Sequence, residues 1–449
     1  MKHLEKILFA AVCLSLFSCG KDEDAASSQV QTPADPDPMP IVDSDVWREQ
    51  IKASIRTDVL NEAYYKDVFM DGGIKLTSRT TLPACDSFKL SLEYFTAEVD
   101  VSADSLAQKE IFTGNDMDHN GILLFPDGAP RYKVFYSNGG KSGLHGESLM
   151  APGRNAVRSF NFAGGSYVGS CAGAFLASAK RNNDFQSQYY GIWPGSATES
   201  GLSDSSTGMF VDAGSPLLNY FNFGGDNYIA DVRHNGGCYY ENTMMGTEIL
   251  ARYDRSDKSM HNNASIWAWK PSPDYGRVIC CGSHPEGVET GERLHLMAAM
   301  LFYAIDGRGL ARAKAILGNG ESYVCDKDSN DDDPYHAKIG DGQCHHFVTA
   351  IPKGAKNVRI RLDYKGDYDI RLLLKNGTFA FDGASDYSES SASGAKELRF
   401  DSLESGIWYI GVYNASRPEV STSGNGFCNY TARTELLNGI AYSLSVSWE

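Results

Sequence analysis

The chain has 449 residues, of which 42% are hydrophobic and 11% aromatic, a composition typical of a folded protein. At this length we expect two or three domains, each large enough to bury its own core. The 57 acidic and 41 basic residues give a formal net charge of −16. This charge argues against a nucleic-acid partner, because phosphate binding requires a basic surface.

Residues 1–19 have the pattern of an export signal. The short segment MKHLEK precedes ILFAAVCLSLF, an apolar run too short for a permanent transmembrane helix. The run ends in LFSC, which resembles the lipobox of bacterial lipoproteins and makes Cys19 the expected lipidation site. The acidic GKDED that follows resembles the signal for the outer face of the outer membrane, so we expect the lipid to be the chain's membrane contact. The alternative is an ordinary secretory signal with a chance cysteine.

Residues 20–44 are rich in Pro, Asp and Ser and are predicted to form a disordered tether. A helix is predicted at 45–66. Short apolar runs then alternate with helical stretches: VFMDGG, KLSLEYF, GILLFPDG, YKVFYSNGG and SYVGS, the helix CAGAFLASAKR, then GRVICCGS and the helix GERLHLMAAMLFYAID. This alternation predicts an α/β domain at 45–318 with a largely parallel sheet. The Gly-, Ser-, Asn- and Tyr-rich stretch 184–225 is predicted to be a loop insertion.

From residue 319 to 449 the pattern changes to alternating apolar and polar residues. The segments are VRIRLDY, YDIRLLLKNG, KELRFDSL, GIWYIGVYN and YSLSVSWE, and they predict an antiparallel, all-β sandwich. Two segments of this region resemble the bacterial pre-peptidase C-terminal domain, an accessory sandwich of secreted enzymes. They are YKGDYDIRLLLKNG and, further along, SGIWYIGVYNAS. An unrelated carbohydrate-binding or adhesion sandwich is the alternative.

The remaining cysteines and acidic residues give weaker signals. Cys325 and Cys344 flank an Asp-rich loop and are a candidate disulfide, although sequence cannot fix the connectivity. The Asp residues of 326–333 could bind calcium, but their spacing is not that of an EF-hand, and a solvated acidic loop is the favoured interpretation. We therefore predict no metal and no cofactor.

The stretch GGSYVGSCAGAFLAS places Cys171 between an apolar strand and a helix, with Gly169 and Gly173 two residues to either side. A strand that turns sharply into a helix can lift one side chain above the sheet, and it needs small neighbours to do so. The amides at the start of the helix favour a thiolate. The pattern predicts a nucleophilic cysteine, whereas an inert buried cysteine in a tight turn is the alternative.

A second strand ends in GRVICCGSHPEG, where His284 and Glu286 stand two residues apart and therefore on one side of an extended segment. Glu286 can bind one ring nitrogen while the other faces the thiol, which supplies a nucleophile, a base and an orienting carboxylate. A surface His–Glu pair at a strand end is the alternative.

Together, the GxCxG turn and the later HPE resemble the class I glutamine amidotransferase-like superfamily, which implies a flavodoxin-like α/β catalytic domain with the triad Cys171, His284 and Glu286. The flanking text, SNGG, GGSYVGSCAGA and GSHPE, most resembles the biotin-protein ligase N-terminal-like domain. The resemblance implies an oxyanion hole at Gly139, Gly140 and the Ala172 amide, with Asn138 in place of the usual proline. The candidate substrate-binding residues are Asn138 and, from the run RHNGGCYYEN, His234, Asn235 and Tyr240. A plain hairpin is the alternative for this run.

Members of this superfamily usually pass ammonia to an ATP-consuming synthase, but the chain has no P-loop. We therefore expect a surface lipoprotein that is a thiol hydrolase, with amidase or peptidase-like action on a small-molecule, peptide or amide substrate. The alternative is a non-catalytic module that binds a ligand or glycan.

Overall fold

The computed structural model describes residues 68–70, 114, 118–121, 123–137, 139–286, 291–309, 312–328, 333–391, 394–422 and 428–449. The predicted signal peptide, Cys19, the tether, the helix at 45–66 and the KLSLEYF strand lie outside these residues. The described part of the chain is mostly β-sheet with few helices. None of its helices has the length and hydrophobicity needed to span a bilayer.

The strands of the first region are β1 (Val68–Met70), β2 (Val134–Ser137), β3 (Ser166–Ser170), β4 (Ser178–Arg181), β5 (Asp184–Phe185), β6 (Trp193–Glu199), β7 (Ser205–Val211), β8 (Tyr228–His234), β9 (Cys238–Tyr239), β10 (Glu248–Asp254), β11 (Ala264–Trp269) and β12 (Val278–Cys281). The α-helices are α1 (Ser142–Ser148), α2 (Met150–Phe162), α3 (Ala172–Ala177) and α4 (Glu292–Asp306).

Eight of these strands form one mixed sheet in the order β1-β2-β3-β12-β11-β10-β7-β8. The pairs among β1, β2, β3 and β12 are parallel, and the pairs from β12 to β8 are antiparallel. The apolar strands β2, β3 and β12 are buried along their whole length, as expected for central parallel strands. The prediction of a largely parallel sheet is therefore wrong: three strand pairs of this sheet are parallel and four are antiparallel. Helices α1 and α2 lie between β2 and β3, but strands β4 to β11 lie between β3 and β12 along the chain.

The prediction of a loop insertion at 184–225 is wrong. Strands β6 and β7 lie in this stretch, and β7 pairs with β8 and β10 in the main sheet. A smaller sheet has the order β5-β4-β6-β9. The sequences WPGSATE and SSTGMFV contain too many small and polar residues for a strand to be expected, yet Trp193 and Met209 are buried.

The second region contains β13 (Ala313–Ile316), β14 (Ser322–Cys325), β15 (Cys344–Ile351), β16 (Lys356–Tyr364), β17 (Ile370–Asn376), β18 (Tyr387–Glu389), β19 (Lys396–Ser402), β20 (Gly406–Asn414), β21 (Glu419–Thr422), β22 (Cys428–Ala432) and β23 (Tyr442–Ser447). Two sheets, β13-β15-β20-β17-β18 and β14-β23-β16-β19, contribute to one hydrophobic core. Five of these strands coincide with the five segments in which apolar and polar residues alternate. Such alternation is expected of a strand with one buried and one exposed face.

A buried polar cluster joins the two regions. Asp127 Oδ2 lies 3.0 Å from Lys314 Nζ and 3.4 Å from His345 Nε2. Gln343 Nε2 donates to Asp127 Oδ1 at 2.7 Å. Nearby, Arg131 is paired with Asp341, and both side chains are about nine-tenths buried. These contacts tie the segment before β2 to the sandwich.

Cys325 and Cys344 are both free in the structure, so the candidate disulfide is not formed. Asp326 pairs with Lys327 and Asp328 with Lys338. Asp331 and Asp332 lie outside the described residues. No metal-binding group of three or more His, Cys, Asp or Glu side chains occurs within the described ranges.

Candidate active site

Cys171 stands at the turn between β3 and α3 with φ 49° and ψ −103°, a conformation that non-glycine residues rarely adopt. Its amide donates to Cys281 O at 2.8 Å, and its carbonyl accepts from the amides of Ala174 and Phe175 in the first turn of α3. Strained backbone of this kind persists only where the surroundings impose it, and it is concentrated at functional sites. Strand β3 stays paired with β12 up to this turn, and Cys171 lines a cavity there.

The two glycines beside Cys171 are required by close backbone packing. A Cβ on Gly173 would lie 1.9 Å from Ser137 O at the end of β2. A Cβ on Gly169 would lie 2.4 Å from the carbonyl carbon of Gly173. Neither contact is tolerable, so the small residues of the GxCxG pattern allow β2, β3 and α3 to meet at this point.

His284 and Glu286 follow β12, the strand beside β3. His284 Nδ1 lies 2.7 Å from Glu286 Oε1, and the His284 amide donates to Arg233 O at 2.8 Å. The side chain of Glu286 is 1% exposed and that of His284 is 19% exposed. Because Nδ1 is engaged by the carboxylate, Nε2 is the ring nitrogen available to the thiol. The structure thus brings Cys171, His284 and Glu286 together.

The protonated form of His284 is favoured in this setting. Burial lowers its pKa, but hydrogen bonds to the side chains of Cys171 and Glu286 outweigh burial and raise the pKa to about 10. Of the two N–H groups of the protonated ring, the one at Nδ1 is directed at the Glu286 carboxylate.

A cavity of about 370 Å³ opens beside Cys171. It is lined by apolar, small and charged residues, among them Leu144, Phe175, Lys141, Arg181 and Glu147. Arg181 forms an ion pair with Glu199 and lies 5.0 Å from the centre of the Phe175 ring. The cavity has room for a small polar molecule or the end of a peptide chain.

The three predicted oxyanion residues have different surroundings. Gly140 and Ala172 both line the cavity together with Cys171. Gly139 instead packs against the triad, since a Cβ at this position would lie 2.1 Å from Cε1 of His284. Gly139 thus makes room for the imidazole ring, a reason for glycine that the sequence did not reveal.

The predicted substrate-binding residues are not all at the cavity. Asn235 is close to the nucleophile, with its carbonyl 3.5 Å from Cys171 Sγ. His234 is completely buried and its Nε2 lies 3.2 Å from the Tyr253 hydroxyl. Tyr240 belongs to the core, where it packs on Trp193 and Trp267, so it is a core residue rather than a cleft residue. Asn138 lies outside the described residues.

Two contacts of the triad segment were not anticipated from the sequence. Ser170 donates from Oγ to Glu286 Oε1 at 3.1 Å. Arg293 donates from Nη2 to the carbonyls of His284 and Glu286, at 3.0 and 3.1 Å. Ser170 directly precedes the nucleophile, which is the one sequence feature that could have drawn attention to it. Nothing in the spacing of Arg293 pointed to this segment.

Comparisons with known proteins give only weak likenesses. No family model matches the chain, and no curated protein matches its sequence. Solved structures with partial similarity include a glutamine amidotransferase (18% identity, 38% of this chain and 80% of that chain, TM-score 0.28). Another is PurLQS from Thermotoga maritima (11% identity, 38% of this chain and 81% of that chain, TM-score 0.29). The pre-peptidase C-terminal domain of a collagenase from Bacillus anthracis matches at 13% identity over 31% of this chain and 100% of that chain, with a TM-score of 0.20. The comparisons give no support for the biotin-protein ligase branch.

Proposed function

We propose that this protein is a cysteine-nucleophile hydrolase that cleaves an amide or related acyl bond. The observation that carries the proposal is the placement of His284, with Nδ1 2.7 Å from Glu286 Oε1, after the strand that pairs with the one leading to Cys171, a residue that itself lines a cavity. A nucleophile, a proton carrier and an orienting carboxylate in this order are the minimum set for covalent acyl transfer.

In the proposed mechanism, Cys171 Sγ passes its proton to His284 and attacks the substrate carbonyl carbon, and the carbonyl oxygen becomes an oxyanion. The Gly140 and Ala172 amides are the proposed donors to that oxyanion. When the intermediate collapses, the C–N bond breaks, the amine leaves with the proton from His284 Nε2, and a thioester remains on Cys171. Water then gives a proton to His284 and attacks the thioester, which releases the acid. His284 returns that proton to the Cys171 sulfur and restores the thiol.

The cavity supports a polar substrate. Its cations are Lys141 and Arg181, and its anion is Glu147. Charged side chains at the wall of a site are costly to cover with an apolar ligand, because their hydration is lost. Amide or peptide substrates with polar groups near the scissile bond are therefore the proposed class.

The wider assignment is also a proposal. The parallel strands β1, β2, β3 and β12, with the nucleophile at the carboxyl end of β3, support a flavodoxin-like α/β class for the first region. The lipobox-like LFSC supports lipidation at Cys19 and an outer-membrane, surface-exposed location. Replacement of Cys19 by Ala, followed by membrane fractionation, tests the anchor.

The reactivity of Cys171 tests the proposed nucleophile before any substrate is known. We expect iodoacetamide to label Cys171 at neutral pH much faster than the other cysteines, and His284→Ala to slow that labelling. Cys344→Ala is the matched control, since Cys344 is also a free and partly accessible thiol but lies in β15. Labelling of Cys171 at the rate of the other cysteines would contradict the proposal.

A screen of peptide, glutamine-like and simple amide probes then tests turnover. Cys171→Ala and His284→Ala should abolish turnover almost equally, whereas Glu286→Gln should leave a measurable remainder, because Glu286 orients and does not react. Binding of a probe with no turnover, unchanged in Cys171→Ala, would instead indicate a ligand-binding module.

A further inference from the structure

A chain of buried hydrogen bonds extends behind the triad. The Tyr136 hydroxyl lies 2.8 Å from Ser170 Oγ, and Ser170 Oγ lies 3.1 Å from Glu286 Oε1, the same oxygen that contacts His284 Nδ1. Tyr136 is on β2, Ser170 on β3 and Glu286 after β12, so the chain crosses three neighbouring strands. Tyr136 and Ser170 are both completely buried.

The chemistry of the groups fixes the direction of these hydrogen bonds. An ionised carboxylate only accepts, so Ser170 donates its single proton to Glu286. Ser170 Oγ must then accept from the Tyr136 hydroxyl. Each bond in the series polarises the next, and the bond that ends on the charged carboxylate is the strongest kind.

Ser170 supplies one of the few hydrogen bonds to the Glu286 carboxylate among the described residues. Glu286 Oε2 is buried and has no hydrogen-bond partner among the described residues. A buried carboxylate oxygen without a partner is costly. The orientation of the carboxylate therefore depends on the two contacts at Oε1, from Ser170 and from His284.

We propose that Ser170 and Tyr136 are positioning residues that fix the Glu286 carboxylate against His284. This inference rests on the proposed function, in which Glu286 orients the histidine. Ser170 acts directly on the carboxylate, and Tyr136 acts through Ser170. Neither residue touches the reacting atoms.

The proposal has a measurable consequence at His284. The hydrogen bond from Glu286 is one of the interactions that raise the pKa of His284. Without the Ser170 hydroxyl the carboxylate can rotate, the average bond to Nδ1 weakens, and the imidazolium is less favoured. The titratable and charged groups that face His284 are Glu286 on its own segment, Cys171 at the start of α3, His234 at the end of β8 and Arg293 on α4, which donates to the His284 carbonyl.

The experiment is a pH titration of the His284 Cε1–H resonance in histidine-labelled full-length protein, assigned by its loss in His284→Asn. We expect Ser170→Ala to lower the titration midpoint by roughly half a pH unit, a fraction of the value of one charge-assisted hydrogen bond. Tyr136→Phe should lower it less, in the same direction. The control is Ser166→Ala, which removes a hydroxyl that is equally buried on the same strand but accepts from the Arg277 amide instead.

A midpoint that is unchanged in a folded Ser170→Ala protein would overturn the proposal. If Ser170→Ala fails to fold, Tyr136→Phe decides, since it removes one oxygen and keeps the ring. Iodoacetamide labelling of Cys171, measured in parallel, separates this inference from the proposed function. If Cys171 is inert but the His284 midpoints shift, the hydrolase proposal is contradicted and the positioning role of Ser170 is kept. If Cys171 is reactive but the midpoints do not shift, the positioning role is contradicted and the hydrolase proposal is kept.

Discussion

Gly139 shows how a single missing side chain can shape the candidate site. An added Cβ would lie 2.1 Å from Cε1 and 2.9 Å from Nδ1 of His284, well inside contact distance. The imidazole would have to move away from both Cys171 and Glu286. Proton transfer depends on this geometry, so the cost should appear in reactivity before it appears in folding.

We therefore expect Gly139→Ala to slow iodoacetamide labelling of Cys171 and to lower turnover by roughly a hundredfold, the typical cost of a misplacement of about 1 Å in an active site. The matched control is Gly214→Ala, because Gly214 has no atom within 4 Å of an added Cβ. Labelling rates and circular dichroism would be measured for both variants. Wild-type labelling in Gly139→Ala would show that His284 does not depend on this glycine.

At the residue level, a sequence pattern is most informative where chemistry constrains the spacing. The GxCxG turn and the His-x-Glu pair each have a geometric reason to be short, and the two segments follow the paired strands β3 and β12. His234 and Tyr240 are polar-capable residues in a turn-rich run, a pattern that does not distinguish a cleft from a core. Ser170 could not be assigned either, because its partner lies 116 residues further along the chain.

At the level of elements, the parallel half of the main sheet depends on close approach between β2 and α3. Gly173 makes this approach possible, since its added Cβ would lie 1.9 Å from Ser137 O. Backbone atoms cannot move aside as a flexible side chain can. The helix would have to shift outward and take the Cys171 turn with it.

We expect Gly173→Ala to lower the free energy of unfolding by about 2 kcal/mol or more, the typical cost of overpacking a buried site. Denaturant unfolding followed by circular dichroism would measure this change, with Gly214→Ala again as the control. Ala normally favours a helix over Gly, so a stabilised Gly173→Ala protein would show that propensity, and not packing, decides at this position.

The elements that could be predicted are those with a clear hydrophobic period. The strands of the sandwich and the buried helix α4 fall where the apolar residues indicate. Helix α3 is shorter than predicted, because residues 178–181 pair with β6 as strand β4. Strands β6 and β7 were missed, since tertiary packing and not local propensity holds such Gly- and Ser-rich segments in a sheet.

For the whole molecule, the buried ion pair between Arg131 and Asp341 couples the two regions. Arg131 also donates to Leu124 O at 2.8 Å and to Leu437 O at 3.0 Å, so its guanidinium is held from both sides. Removing one partner of a buried pair leaves an uncompensated charge, which costs far more than an exposed pair gains.

We expect Asp341→Ala to lower the free energy of unfolding by about 3 kcal/mol, within the range for a broken buried pair. The control is Asp363→Ala, which removes the carboxylate of an exposed pair with Arg361 and should change the unfolding midpoint little. Scanning calorimetry should show one transition in the wild type. Separate transitions for the two regions, with only one affected by Asp341→Ala, would contradict the coupling.

Four histidines give the molecule a stability that depends on pH in both directions. The pKa of His284 is raised to about 10 by its contacts with Cys171 and Glu286, against the opposing effect of burial, so its contribution is complete below the unfolded value near 6.5 and is lost as pH rises toward 10. Burial lowers the pKa of His234 and His345 to about 4 and that of His346 to about 3. Those three bind protons more readily when unfolded, so acid removes their contribution.

We therefore expect the free energy of unfolding to be greatest near neutral pH and to fall on both sides. Between pH 6.5 and 4 each buried neutral histidine should contribute a slope of about 1.4 kcal/mol per pH unit. His345→Gln should reduce this acid slope by about one histidine's share, whereas Glu286→Gln should flatten the alkaline side, because it removes a contact that raises the pKa of His284. Denaturant unfolding at a series of pH values would measure both slopes. A free energy of unfolding that stays constant from pH 6.5 to 4.5 would contradict this prediction. It would mean that the three histidines bind protons as readily in the folded protein as in the unfolded chain.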